Sequence, residues 1–230
     1  MQGNRGNYPT MLAAILSLTA MVSATAASNR LPRGWKAEDV IGPAQPGETR
    51  IIGTGENAVW KITGTGDTIW HGSDQFQYAH TTLRGDGGIT ARLLNVTGGN
   101  PDGWAKVGVM LRENTEAGSR CAFMTYANGG VFEPTWRLGT NLTPSKRDED
   151  TNGAGRPLGD RPIWIRSQRR GQTYEHLLSE DGHRWEFFRS MKVPIPADKP
   201  VLVGLSACMH GGNPPVVAEF DHVSVGPDLV

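Results

Sequence analysis

Between Thr49 and Gly226 the chain is a succession of short apolar runs, each stopped by turn-forming residues such as Gly, Asn, Asp or Pro. Ala58–Thr63 ends at Gly64 and Gly66, and Phe76–Leu83 ends at the turn from Gly85 to Gly88. Ile89–Val96 puts Ile89, Ala91 and Leu93 on one side and Thr90, Arg92 and Leu94 on the other, which is the two-residue period of a strand. Lys106–Arg112 repeats it, with Val107, Val109 and Leu111 against Gly108, Met110 and Arg112. Cys121–Tyr126, Val131–Leu138, Ile163–Gln168, Tyr174–Leu178, Trp185–Met191, Val201–Met209 and Val216–Val225 continue the series. No window keeps a 3.6-residue apolar period through three turns, so helix is expected to be minor. Roughly a dozen short strands without crossover helices bury their apolar faces as antiparallel sheets stacked face to face. The reading is all-β: a two-sheet antiparallel sandwich over residues 49–226, preceded by a linker or edge segment over 28–48.

The first 27 residues follow a different rule. Arg5 gives a sparse basic start, Met11–Val22 an apolar run of signal-peptide length, and Ser23–Ala27 the small residues that a signal peptidase accepts. A membrane-spanning helix needs about 20 apolar residues, so the run reads as a removable export signal. The expected location is secreted, periplasmic or cell-surface, with no membrane span in the mature chain.

Lys plus Arg number 23 and Asp plus Glu number 23. A chain so balanced has no net field to attract nucleic acid or an anionic membrane, and no nucleic-acid partner is expected. The largest interruption, Asn141–Arg161, carries the charged run Lys146–Asp150 and reads as a long solvated loop. Cys121 and Cys208 both lie inside strand-like runs. In an exported protein they either pair or remain buried thiols, and spacing alone does not decide between the two.

Motifs for catalysis are missing. Glycoside hydrolysis needs two carboxylates about 5 to 10 Å apart. The Glu-x-Asp-x-x-Glu triplet of sandwich glucanases is absent, and the nearest acidic pairs are Glu113 with Glu116, Glu180 with Asp181, and Glu219 with Asp221. There is no Gly-x-Ser-x-Gly elbow and no His-Glu-x-x-His, and none of His71, His80, His176, His183, His210 and His222 falls in a triad motif. His71 and His210 flank Gly-rich turns. The stretch 179–185 (SEDGHRW) is a hairpin signal, because Asp-Gly supplies the positive φ that a tight turn needs. It is one residue short of a sialidase Asp-box and occurs once.

Several short motifs recur in a recognisable order: 39–42 (DVIG), 64–70 (GTGDTIW), 73–78 (SDQFQY), Gly85-Asp86, 89–92 (ITAR) and 107–112 (VGVMLR). The C-terminal set is 164–166 (WIR), the hairpin at 179–185, 203–205 (VGL) and 220–225 (FDHVSV). In order and spacing the chain resembles, over about residues 35–226, a bacterial domain family of unknown function. That family is of the concanavalin A-like (lectin/glucanase) type and is related to the C-terminal sandwich of some β-xylosidases. The resemblance implies an exported two-sheet jelly roll found alone or attached to cell-surface and carbohydrate-active proteins. It carries over no established activity and no set of functional residues. Related sandwiches hold a structural Ca²⁺ in loops, for which Asp67, Asp74, Asp86, Asn100, Asp102 and Asp221 are the turn candidates.

The positive signal for a ligand is aromatic. The chain has seven Trp; Trp70, Trp104 and Trp136 lie near turns or beside polar residues, whereas Trp35, Trp60, Trp164 and Trp185 read as packing. A pyranose packs its C–H face on an indole while polar side chains bond its hydroxyls, the usual mixture at a ligand site. Arg112 and Arg166 each stand in an apolar strand on the side opposite the aliphatic residues, where a guanidinium can meet a sugar or an acid. The expected contacts are Trp70, Gln75, Met110, Arg112, Tyr126 and Trp136, with His71 and Asp74 on a nearby loop. The function expected is an exported non-catalytic module that binds a glycan or cell-surface polysaccharide. Its alternatives are a glycoside hydrolase or lyase on the same scaffold, and a purely structural surface domain.

Overall fold

The computed structural model describes residues 27–28, 30–99, 103–127, 130–145, 162–211 and 213–227. Residues 1–26 of the expected signal segment 1–27, the cation candidates Asn100 and Asp102, and the charged run Lys146–Asp150 lie outside them. Among the described residues there is no helix, and fourteen strands form two antiparallel sheets. The larger sheet has the order β1 (Ala27–Ser28), β3 (Glu48–Ile52), β4 (Val59–Gly64), β14 (Val216–Gly226), β6 (Gly87–Thr97), β10 (Ile163–Arg170), β11 (Thr173–Ser179) and β12 (Glu186–Lys192). The smaller has the order β2 (Lys36–Val40), β5 (Phe76–Leu83), β13 (Val201–Cys208), β7 (Lys106–Arg112), β8 (Cys121–Ala127) and β9 (Val131–Arg137). The chain is thus an all-β, two-sheet antiparallel jelly roll, and β2 forms one edge of the smaller sheet.

Alternation decides what lies between the sheets. Ile62, Ile89, Ala91, Leu93, Ile165 and Phe220 of the larger sheet meet Ala79, Val107, Val109, Leu111, Met124 and Leu205 of the smaller, all fully buried. Register aligns Met124, Val109, Leu205 and Ala79 in one row across four strands. Each buried Val, Leu, Ile, Met or Phe side chain among them contributes about 1.5–3 kcal/mol. Trp35 and Trp60 join the edge of this core, with ring centroids 4.6 Å apart.

The other face of the smaller sheet is covered as well. Phe76, Tyr78, Met110, Cys121, Phe123 and Cys208 form a second apolar cluster there, joined by Val40 of β2 and by Ile69 of the β4–β5 loop. Every residue of β7 and β8 is consequently buried. Both cysteines are free thiols in this cluster, and burial pushes Cys208 up to about 11 and Cys121 upward as well. At the 179–185 hairpin, Asp181 Oδ1 accepts hydrogen bonds from the His183 and Arg184 amides, which hold its carboxyl down at about 2. Gly182 has φ +77° and lies against Trp164, whose indole a Cβ would approach to 2.8 Å.

Candidate functional site

Lys106 opens β7 and Glu133 sits within β9, and both alternate with core residues, so their side chains leave the outer face of the smaller sheet. They line a cavity of about 280 Å³ together with Trp70, Trp104 and His210. Lys106 and Glu133 are almost fully buried, at 3% and 2% exposure. Burying charged groups is costly, and here an ammonium and a carboxylate of opposite sign share one cavity wall. Trp70 comes from the β4–β5 loop and Trp104, 44% exposed, from the turn before β7. Lys106 Nζ lies 5.9 Å from the Trp70 ring centroid and 5.8 Å from that of Trp104. Two indoles therefore share one ammonium, an arrangement that stabilises the charge and fixes both rings. His210 reaches the cavity from the turn after β13, where its backbone is left-handed at φ +60°.

The sheet beside Glu133 is polar too. Thr125 pairs with Glu133 in register, and Ser206 and Gly108 extend the row toward Tyr78. The buried hydroxyls of Thr125 and Thr135 have no hydrogen-bond partner among the described residues. An unpaired buried hydroxyl costs about 1–3 kcal/mol, so this patch is not optimised for packing alone.

The opposite end of the same face is closed by charge. Asp74, Arg112 and Arg137 are each wholly buried. Arg112 Nη1 donates to Asp74 Oδ2 at 2.9 Å, and Arg137 donates to both carboxylate oxygens, at 2.7 and 2.5 Å. The remaining guanidinium donors take loop carbonyls: Asn114 and Glu116 for Arg112, and His71, Ser119 and Leu142 for Arg137. The Asp74 amide donates to Ala117 O at 2.9 Å. One carboxylate and two cations thereby tie together the loops after β4, β7 and β9. Arg137 holds the carbonyl of His71, the neighbour of Trp70, so the cluster also fixes the loop that carries the cavity's indole.

The residues expected at a site are distributed as follows. Trp70 lines the cavity just described, and Gln75 lines a second one. Asp74 and Arg112 belong to the buried ion cluster, and Met110 packs beside them with no exposure. Tyr126 turns inward and packs against Phe132, the rings tilted with centroids 5.0 Å apart, and Trp136 packs against the core, so both sit on the far side of the sheet from the cavity. His71 is exposed and engages Arg137 through its carbonyl. Arg166 lies over the Trp185 ring at 3.9 Å and donates to Thr90 Oγ1, on the larger sheet. Lys106 and Glu133 were not singled out, although the alternation that placed Arg112 places Lys106 on the same face.

Among the cation candidates, Asp86 accepts the Gly171 amide, Asp221 pairs with Arg92, and Asp67 lines the second cavity. Among the described residues no three His, Cys, Asp or Glu side chains cluster as metal ligands. Ser167 Oγ and His176 Nδ1 are 2.6 Å apart. Both are fully buried between the sheets, and burial holds His176 neutral with its pKa near 3. Such a pair is out of reach of a substrate. No described helix is long and apolar enough to cross a membrane.

No protein-family model matches the chain, and no curated protein matches it. Solved structures do. A functionally unknown protein from Saccharomyces cerevisiae aligns with a TM-score of 0.57 at 14% identity, over 86% of this chain and 98% of its own. The cellulose induced protein Cip1 aligns with a TM-score of 0.53 at 13% identity, over 84% of this chain and 91% of its own. The carbohydrate binding module CBM66 from Bacillus subtilis aligns with a TM-score of 0.47 at 13% identity, over 84% and 94%. The first two share the fold, a two-sheet antiparallel jelly-roll sandwich.

Proposed function

We propose that the protein is an exported, non-catalytic carbohydrate-binding or cell-surface interaction module, and that the Trp70–Trp104 cavity is its glycan site. The observation that carries this is the pairing of two indoles with buried Lys106 and Glu133 and with His210 on one 280 Å³ cavity. Indole faces suit the C–H side of a pyranose, and an ammonium, a carboxylate and an imidazole suit its hydroxyls. Among the described residues Glu133 is the one carboxylate lining this cavity, and the facing pair that hydrolysis needs is not among them. The resemblance of the motif order to the β-xylosidase-related family, and the signal-like segment Met11–Val22, favour a role outside the cell.

Affinity electrophoresis of the secreted protein through gels containing xylan, glucomannan, hydroxyethylcellulose or mixed-linkage glucan tests the reading. Retardation by at least one polysaccharide, relieved by Trp104→Ala, is expected. Migration unaltered by all four, or insensitive to that substitution, refutes it. Release of reducing ends in parallel incubations refutes its non-catalytic part.

A further inference from the structure

We infer that the glycan site continues past the Met209–Gly211 turn into a second, polar cavity, and that its ligand is a neutral linear oligosaccharide. This deepens the reading of the Trp70–Trp104 cavity as a glycan site and rests on it. The second cavity, of about 370 Å³, is lined among others by Gln45, Asp67, Gln75, Met209, Gly211 and Asn213. The two cavities share two walls. The β4–β5 loop gives Trp70 to the first and both Asp67 and Gln75 to the second. The turn after β13 gives His210 to the first and both Met209 and Gly211 to the second. That turn is pinned to the loop by the Met209 amide, which donates to Gly66 O at 2.9 Å. It also runs close over the Asp67 carboxylate, since a Cβ on Gly211 would lie 3.2 Å from Oδ1.

Size and chemistry then point the same way. Ligand cavities run from about 300 to 1,000 Å³, so each of these alone is at the small end, and a ligand filling both falls well inside the range. The first supplies stacking faces. Among the described residues the second has neither an aromatic nor a cationic side chain on its wall, only a carboxylate, amides and small or apolar groups. Gln75 Oε1 already accepts the Asp67 amide at 3.0 Å, which leaves its NH₂ to donate and the Asp67 carboxylate to accept. A donor beside an acceptor is the pattern that reads sugar hydroxyls. The carboxylate repels a uronate, which excludes acidic glycans from this half of the groove.

Titration calorimetry with β-1,4-, β-1,3- and α-1,4-linked neutral oligosaccharides of one to six units, and with oligogalacturonates of the same lengths, tests the inference. Affinity for the preferred neutral series should rise about tenfold over the first few units and then level. Gln45→Ala, at an exposed position, and Gln75→Ala should each weaken the longest oligosaccharide about fivefold, and Gln45→Ala should leave the monosaccharide unchanged. Affinity independent of length, two silent variants, or preference for oligogalacturonate overturns the second subsite while leaving the first intact. Wild-type protein that binds none of the series, or binding indifferent to Trp104→Ala, overturns the glycan site itself.

Discussion

The two ends of the outer face of the smaller sheet are built from the same strands and do opposite things. β7 begins with Lys106 and ends with Arg112, and β9 carries Glu133 and, four residues on, Arg137. At the Arg end the cations find a buried carboxylate and five loop carbonyls, so every guanidinium nitrogen is matched and the loops close down. At the Lys end the cation finds two indole faces instead, one of them 44% exposed, and a cavity stays open. Buried charge is scaffold where its partners are all internal. Where the partners are aromatic faces that still look outward, it forms the proposed binding surface.

The largest expected effect comes from breaking the closed end. Asp74→Ala strands two guanidiniums with no exposure and should cost about 3–5 kcal/mol in denaturant unfolding, with ligand binding lost alongside because the Trp70 loop is released. His176 is a third reference point, buried as completely as Asp74 but without a countercharge. Its folded pKa near 3 lies below the unfolded 6.5, so above pH 6.5 it contributes nothing to pH dependence. As the pH falls below that value the unfolded chain binds the proton first, and stability drops toward pH 3. Between pH 6.5 and 5, before carboxylates titrate, this loss is on the order of 2 kcal/mol, and His176→Gln should flatten the slope in urea titrations. At the open end Trp104→Ala removes one of the two ring faces on Lys106 and should cost about 0.5–1 kcal/mol in unfolding, while weakening the proposed glycan binding about tenfold. Smallest is Asp181→Ala at the 179–185 turn, which should lower the melting temperature slightly and leave binding untouched.

The strands were legible because their cause is local. Phe76–Leu83 and Lys106–Arg112 end where alternation and turn residues end them, and Val107, Val109 and Leu111 face the core as their spacing requires. What covers the other face was not legible. Alternation puts Arg112 on that face, but whether it meets a ligand or a carboxylate depends on Asp74 and on Arg137, 25 residues further along. Tyr126 shows the complementary error: its odd–even position within Cys121–Tyr126 turns it inward, opposite to Phe123. The same parity argument applied to Lys106, and to Glu133 within an otherwise apolar run, would have found the two charges of the cavity. His210 and Trp104 carry only weak signals, a neighbouring Gly pair and a turn. They reach the cavity through the packing of β13 against β7, which pairs Cys208 with Lys106.

The division into a closed scaffold end and an open ligand end is tested most directly by the seven indole N–H resonances in a ¹⁵N–¹H spectrum recorded while the preferred polysaccharide fragment is added. Trp70 and Trp104 should shift together, with Trp35, Trp60, Trp136, Trp164 and Trp185 fixed. Shifts at Trp136, Trp164 or Trp185 with Trp70 and Trp104 unmoved would contradict the account.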